Sequence, residues 1–189
     1  MPKVNWPGFV AAAAIAWVAL STEPWWIFRV GENLVSVELS PFYYNIGVLG
    51  DTMRVPVIDY LVLAAKLLAL AAVPAMITAS LTASRKASRH VMGFAWKKIP
   101  LYVISLIIII MLLPVFASIG VVQSPVEFSF EMPFLTGTGE LTANIQGISL
   151  RAPVLSELTF EFWKAVAVSI ICIASRVYHG HLLKGVESS

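Results

Sequence analysis

Cysteine is almost missing from this chain. Cys172 is the only one in 189 residues, so no intrachain disulfide can form. Segments outside the apolar runs must therefore hold together by strand pairing and packing. Charge is scarce as well: Asp, Glu, Lys and Arg make up 13% of the residues, against about 25% in soluble domains. With 58% hydrophobic residues, the chain carries more apolar surface than a water-soluble fold of this size can cover. The formal net charge of +2 is too small to point to nucleic acid. No Asn-x-Ser/Thr sequon occurs. Nor is there a Gly-rich phosphate loop, a metal-binding helix motif or a Ser/His/Asp set. No enzyme activity, cofactor or metal is expected.

What the chain does have is four apolar runs, each close to the roughly 20 residues that span a bilayer as a helix. Residues 56–83 (from PVIDYLVLAAKLLALAAVPAM) form the most prominent one. Pro56 suits a helix start and Pro74 predicts a kink inside it. The others cover about 8–28, 99–121 and 159–178. Residues 8–22 also read as a signal peptide, but the charge pattern described below requires a retained helix there. Glu23-Pro24 followed by Trp25-Trp26 reads as this helix leaving the membrane through an aromatic belt. Residues 84–98, with Arg85, Lys86, Arg89, Lys97 and Lys98, read as a basic loop.

Two segments change from helical to strand chemistry. In 29–51, Val35, Val37 and Leu39 alternate with Ser36 and Glu38, and an aromatic, β-branched run follows from Phe42 to Leu49. Two or three short strands are expected. In 122–156, Val126, Phe128, Phe130 and Met132 alternate with Glu127, Ser129 and Glu131. Thr136 to Gly139 reads as a turn, and 140–151 as a strand with a bulge at Gly147. A lone hairpin is marginal, so both segments are expected to join in one sheet of about four or five strands.

Charge sets the expected topology. Lys3, Arg85, Lys86, Arg89, Lys97, Lys98, Arg176 and Lys184 fall on one side, and Arg29, Arg54, Arg151 and Lys164 on the other. The positive-inside rule then puts both termini and the 84–98 loop in the cytoplasm of a multi-pass plasma-membrane protein. Nearly all carboxylates fall outside, leaving an outer face of net negative charge that attracts cations or basic partners at low ionic strength.

Lys66 is the sharpest candidate residue. It lies some 15 Å into its helix at 1.5 Å per residue, where an unpaired charge costs about 3 kcal/mol on insertion scales. It snorkels, pairs with a carboxylate or lines a polar path. Asp59, two turns away on the same face, and Glu23 and Glu161, near the ends of other helices, are the candidate partners. On the fourth helix, Glu157, Glu161, Lys164, Val168, Cys172, Ser175 and His179 recur at steps of three or four and so share a face. That face is expected to look toward the Asp59/Lys66 face. His179 and His181 offer two imidazoles, fewer than a metal site needs. Small residues (Ala11 to Ala14, Ala16, Ala19; Ala64, Ala65, Ala69, Ala71, Ala72) suit close packing of the first two helices.

The expected fold is thus a membrane α-helical one: four transmembrane helices, up-down-up-down, with a small extracytoplasmic antiparallel β-sheet, all in a single integral membrane domain. In outline it resembles the claudin-like group of four-helix membrane proteins, whose two outer loops feed one sheet. That family's first loop carries a Trp, a Gly-Leu-Trp and two cysteines; here Trp25 and Trp26 stand alone and neither loop has a cysteine. The expected function is a non-catalytic membrane subunit or scaffold, binding other membrane proteins or a second copy through its bundle and sheet. A small transporter or ion path using Lys66, Asp59, Glu161 and Lys164 is the alternative. The resemblance adds a third, claudin-like adhesion.

Overall fold

The computed structural model describes residues 4–32, 34–122, 127–130, 133, 135–145 and 148–187. In chain order the elements are α1 (Trp6–Leu20), β1 (Trp26–Val30), β2 (Val35–Ser40), β3 (Tyr43–Val48), β4 (Asp51–Met53) and α2 (Pro56–Leu81). They continue with α3 (Ser88–Ala95), α4 (Lys98–Val122), β5 (Glu127–Phe130), β6 (Gly137–Ile145), β7 (Ile148–Leu158) and α5 (Phe160–Glu187). Contacts divide them into two compact units. A helical unit comprises Met1–Thr22, Tyr60–Val103 and Trp163–Ser189. A sheet unit comprises Glu23–Asp59 and Ile104–Phe162.

Among the described residues, three helical stretches are long and apolar enough to cross a membrane: Pro56–Leu81, Ser88–Leu113 and Phe160–Leu183. The fourth apolar helix, α1, has 15 residues. It was expected to run to Phe28. It ends instead at Leu20, with Ser21 already extended (ψ 139°), and Trp25-Trp26 enter the sheet rather than an aromatic belt. Pro24 cannot continue the helix, and the aromatic, β-branched run Trp-Trp-Ile-Phe suits a strand covered on both edges. In the helical unit, α1 buries Ala11, Ala12, Ile15, Val18 and Ala19, and α2 buries Ala69, Ala72, Met76 and Ala79. These small residues let helix backbones approach closely. Helix α2 continues through Pro74. Beyond it, Thr78, Ser80 and Thr82 donate to the carbonyls of Pro74, Met76 and Thr78, each at 2.7 Å. The 84–98 segment is not only a loop: α3 forms within it, burying Ser88, Met92 and Ala95 on one side. Helix α5 extends to Glu187, well past residue 178.

The sheet unit holds one seven-stranded antiparallel sheet in the order β4-β3-β2-β1-β7-β6-β5. The strands of the two expected segments therefore do join, through β1 and β7, in more strands than the four or five expected. Register places Trp26 between Leu39 and Leu158, Phe28 between Val37 and Ser156, and Val30 between Val35 and Val154. This row forms the buried face. Trp26 stacks on Phe28 (centroids 5.6 Å apart) and donates from Nε1 to Ser156 Oγ at 2.9 Å. Trp25, also fully buried, packs edge-on to Phe42 at 5.7 Å. The opposite face is polar. There Glu38 accepts from Tyr43 (3.5 Å) and Asn45 (3.4 Å) and lies 3.8 Å from Arg29.

Three local expectations differ. Residues 140–151 are not one strand but the end of β6 and the start of β7, with Ile145 facing Ile148. A glycine at a phase slip reads equally as a bulge or as a chain reversal; Gly147 itself lies outside the described residues. Thr136 to Gly139 is not a separate turn, because β6 starts at Gly137. Val126, Met132 and the side chains of Phe128 and Phe130 lie outside the described residues. The β3–β4 hairpin closes on Leu49-Gly50, both with positive φ (54° and 87°), as a two-residue turn of this hand demands.

Candidate functional site

The polar side chains of the helical unit gather where α1 begins. Asn5, fully buried, precedes Trp6-Pro7 as the N-cap, and its Oδ1 accepts from Gly8 N–H at 3.2 Å. Its own N–H donates to the carbonyl of Ser80 at the end of α2 (3.1 Å). Its Nδ2 donates to Ser175 of α5, to the carbonyl at 3.2 Å and to Oγ at 3.4 Å. One asparagine thus ties α1 to α2 and to α5. The approach is close: a Cβ on Gly8 would overlap Ser80 Oγ. Polar groups spent this way act as glue between apolar helices.

A second buried pair joins α3 to α5. Ser88 Oγ lies 2.6 Å from the Arg85 carbonyl and 3.0 Å from His179 Nε2. A hydroxyl has one proton, and the shorter contact takes it. Nε2 therefore donates to Ser88, and Nδ1 is the proton-free nitrogen. Nδ1 is buried and has no partner among the described residues.

Beside this pair lies a cavity of about 540 Å³, lined by Lys86, Arg89, His90, Arg176, Val177 and Gly180 among others. Ser88 is followed by Arg89 and His90, and His179 by Gly180, so the buried Ser88–His179 contact holds the two walls together. Lys86, Arg89 and Arg176 face the cavity and form no ion pair with a carboxylate among the described residues. No group of three or more His, Cys, Asp or Glu able to hold a metal occurs among the described residues.

The residues singled out from sequence take separate places. Lys66 is half-buried on α2, on the stripe that continues through Ala69 and Met76 to Ser80. It has no hydrogen bond or ion pair among the described residues. Lys164 sits over the Trp17 ring, 4.5 Å from its centroid. In the sheet unit, Asp59 is exposed and accepts from the Tyr44 hydroxyl at 2.9 Å; that hydroxyl accepts from Val55 N–H at 3.0 Å. As the acid of the first turn of α2, Asp59 also favours the helix N-terminus. Glu23 lies in the turn before β1, and Glu161 in the first turn of α5. The α5 stripe is partly corrected. Glu157 belongs to β7, since the helix starts at Phe160. Val168, Cys172, Ser175 and His179 are all buried together on α5, and Ser175 Oγ reaches Met76 Sδ of α2 at 4.0 Å. Asn5, Ser80 and Ser88 were missed. Asn5 had a signal: a capping residue directly before an apolar run with Pro in its first turn. Isolated serines carry none.

No known protein family matches the chain, and no curated protein matches it.

Proposed function

We propose that this chain is a non-catalytic integral membrane subunit. Its helices lie in the bilayer of the plasma membrane, both termini face the cytoplasm, and the sheet lies on the other side. It binds other membrane proteins or a second copy of itself through its helices and its sheet. The 15-residue α1 is about 22 Å long, short for a hydrocarbon layer of about 30 Å, and crosses where the layer thins locally.

Lys66 carries the proposal. Its charge sits inside a span that is mostly exposed, beside the exposed Leu63 and Leu67, and nothing among the described residues neutralises it. Leaving such a charge unpaired costs about 3 kcal/mol. A carboxylate or polar group on a neighbouring helix of another chain removes that cost. The interior polar groups support the same view: Asn5, the Ser80 carbonyl and Ser175 are used in hydrogen bonds between helices, and the Ser80 hydroxyl in one within α2.

The test is the mass of the particle extracted in mild detergent. The wild-type chain is expected in a complex larger than a monomer. Lys66→Met should release it, and Lys66→Arg should keep it. A wild-type chain that is monomeric after gentle extraction defeats the proposal. Flux through reconstituted vesicles that Lys66→Met abolishes would favour the transporter instead.

A further inference from the structure

From the cavity between α3 and α5, we infer a binding site for the phosphate headgroup of an anionic membrane lipid. Three observations lead there. Lys86, Arg89 and Arg176 converge with His90 on one cavity, and the three cations have no carboxylate partner among the described residues. Converging like charges repel, and an anion relieves that repulsion. Guanidinium groups match phosphate oxygens with paired, parallel N–H donors, which selects phosphate over a simple halide. The volume of about 540 Å³ lies within the roughly 300–1,000 Å³ typical of small-molecule sites.

The second observation separates a lipid from a free phosphate. Val177 lines the cavity. One and two turns back along α5, toward the middle of its apolar stretch, lie Ile173 and Ile170, both exposed. Steps of three and four put the three side chains on one face. They form an apolar track leading from the cations into the span, as an acyl chain needs and a soluble phosphate does not. Basic pockets at the ends of transmembrane helices bind anionic headgroups by this combination.

The third observation is rigidity. The buried Ser88–His179 contact (3.0 Å) fixes α3 against α5. The cations of the two walls are therefore positioned before a ligand arrives, which lowers the ordering cost of binding.

The site rests on the helices lying in a bilayer, but not on any partner at Lys66. The full chain in mild detergent is mixed with phosphatidylglycerol or with phosphatidylcholine, and retained lipid is counted by native mass spectrometry. Phosphatidylglycerol should be retained at least about tenfold better. In the double variant Arg89→Gln/Arg176→Gln its affinity should fall about thirtyfold. Arg29→Gln, which removes one cation from the sheet unit, should leave retention unchanged. Equal retention of the two lipids, or a loss in Arg29→Gln as large as in the double variant, overturns the site. So does displacement of the lipid by millimolar inorganic phosphate, which would mark a free-phosphate pocket. A chain that stays soluble without detergent would sink the membrane proposal itself, a different outcome from a membrane-embedded chain with no lipid preference.

Discussion

The two units solve opposite problems with the same alphabet. The helical unit hides small and polar side chains and shows large apolar ones. Ala11, Ala69, Asn5, Ser80, Ser175 and His179 are inside, while Trp17, Leu61, Leu67, Leu101 and Ile170 are exposed at the surface. The central strands of the sheet do the reverse. Trp25, Trp26, Phe28 and Val154 are buried, and Arg29, Glu140 and Arg151 are exposed. The second arrangement is what water produces through the hydrophobic effect. The first is what packing produces when the surroundings are as apolar as the side chains, so that contact and hydrogen bonding decide which helix faces meet. One chain therefore carries the marks of two solvents.

Three changes would break or sharpen that contrast. The largest expected effect is in the sheet: Trp26→Ala removes a fully buried ring that stacks on Phe28 and donates to Ser156. It should destabilise the sheet unit by about 3–5 kcal/mol. Limited proteolysis should then cut between Glu23 and Met53 while Pro56–Leu81 stays protected. Equal loss of protection in both would show that the units do not respond separately. A smaller effect is expected from Asn5→Leu. It keeps bulk but removes the cap of α1 and the donor to Ser175, at about 1–2 kcal/mol. Thermal unfolding should show the loss, and an unchanged midpoint would mean that packing alone seats α1.

The smallest effect concerns pH and belongs to the sheet. Partial burial first, then the charge of Glu38 and its hydrogen bond, raise the Tyr43 phenol above its ordinary 10.0. The folded state thus favours the neutral phenol. Its contribution is complete below pH about 10 and is lost as the pH rises through the shifted value. Thermal midpoints of the wild-type chain should fall between pH 9 and pH 11, and less so in Tyr43→Phe. Parallel curves for the two would remove Tyr43 from the account.

Much of the helical unit could be read in advance, because span length and apolar content are properties of a contiguous stretch. The cores of α2, α4 and α5 needed nothing else. The alternation from Val35 to Leu39 likewise announced β2. What could not be read depended on distant partners. Trp25 to Phe28 has the same letters whether it ends a membrane helix or forms a central strand, and only pairing with Leu39 and Leu158 decides. The basic loop gave no sign that Ser88 would meet His179, because an i-to-i+91 contact leaves no local period. Lys66 stood out by its depth alone. The cavity cations did not, since Lys86 and Arg89 were read only as topology signals.

The pairing of β1 with β7 also has a consequence in time. The Trp26 indole and the Ser156 hydroxyl it meets are 130 residues apart, and Thr159 returns to donate to the carbonyls of both Pro24 and Trp25. During synthesis β1, β2, β3 and β4 emerge early and can pair as a meander, with β1 as an open edge. That edge waits for more than a hundred further residues before β7 covers it. Until then it is a template for wrong strands. Termination of synthesis before residue 148 should therefore give a product that aggregates through β1, even though α1, α2 and α4 are already made.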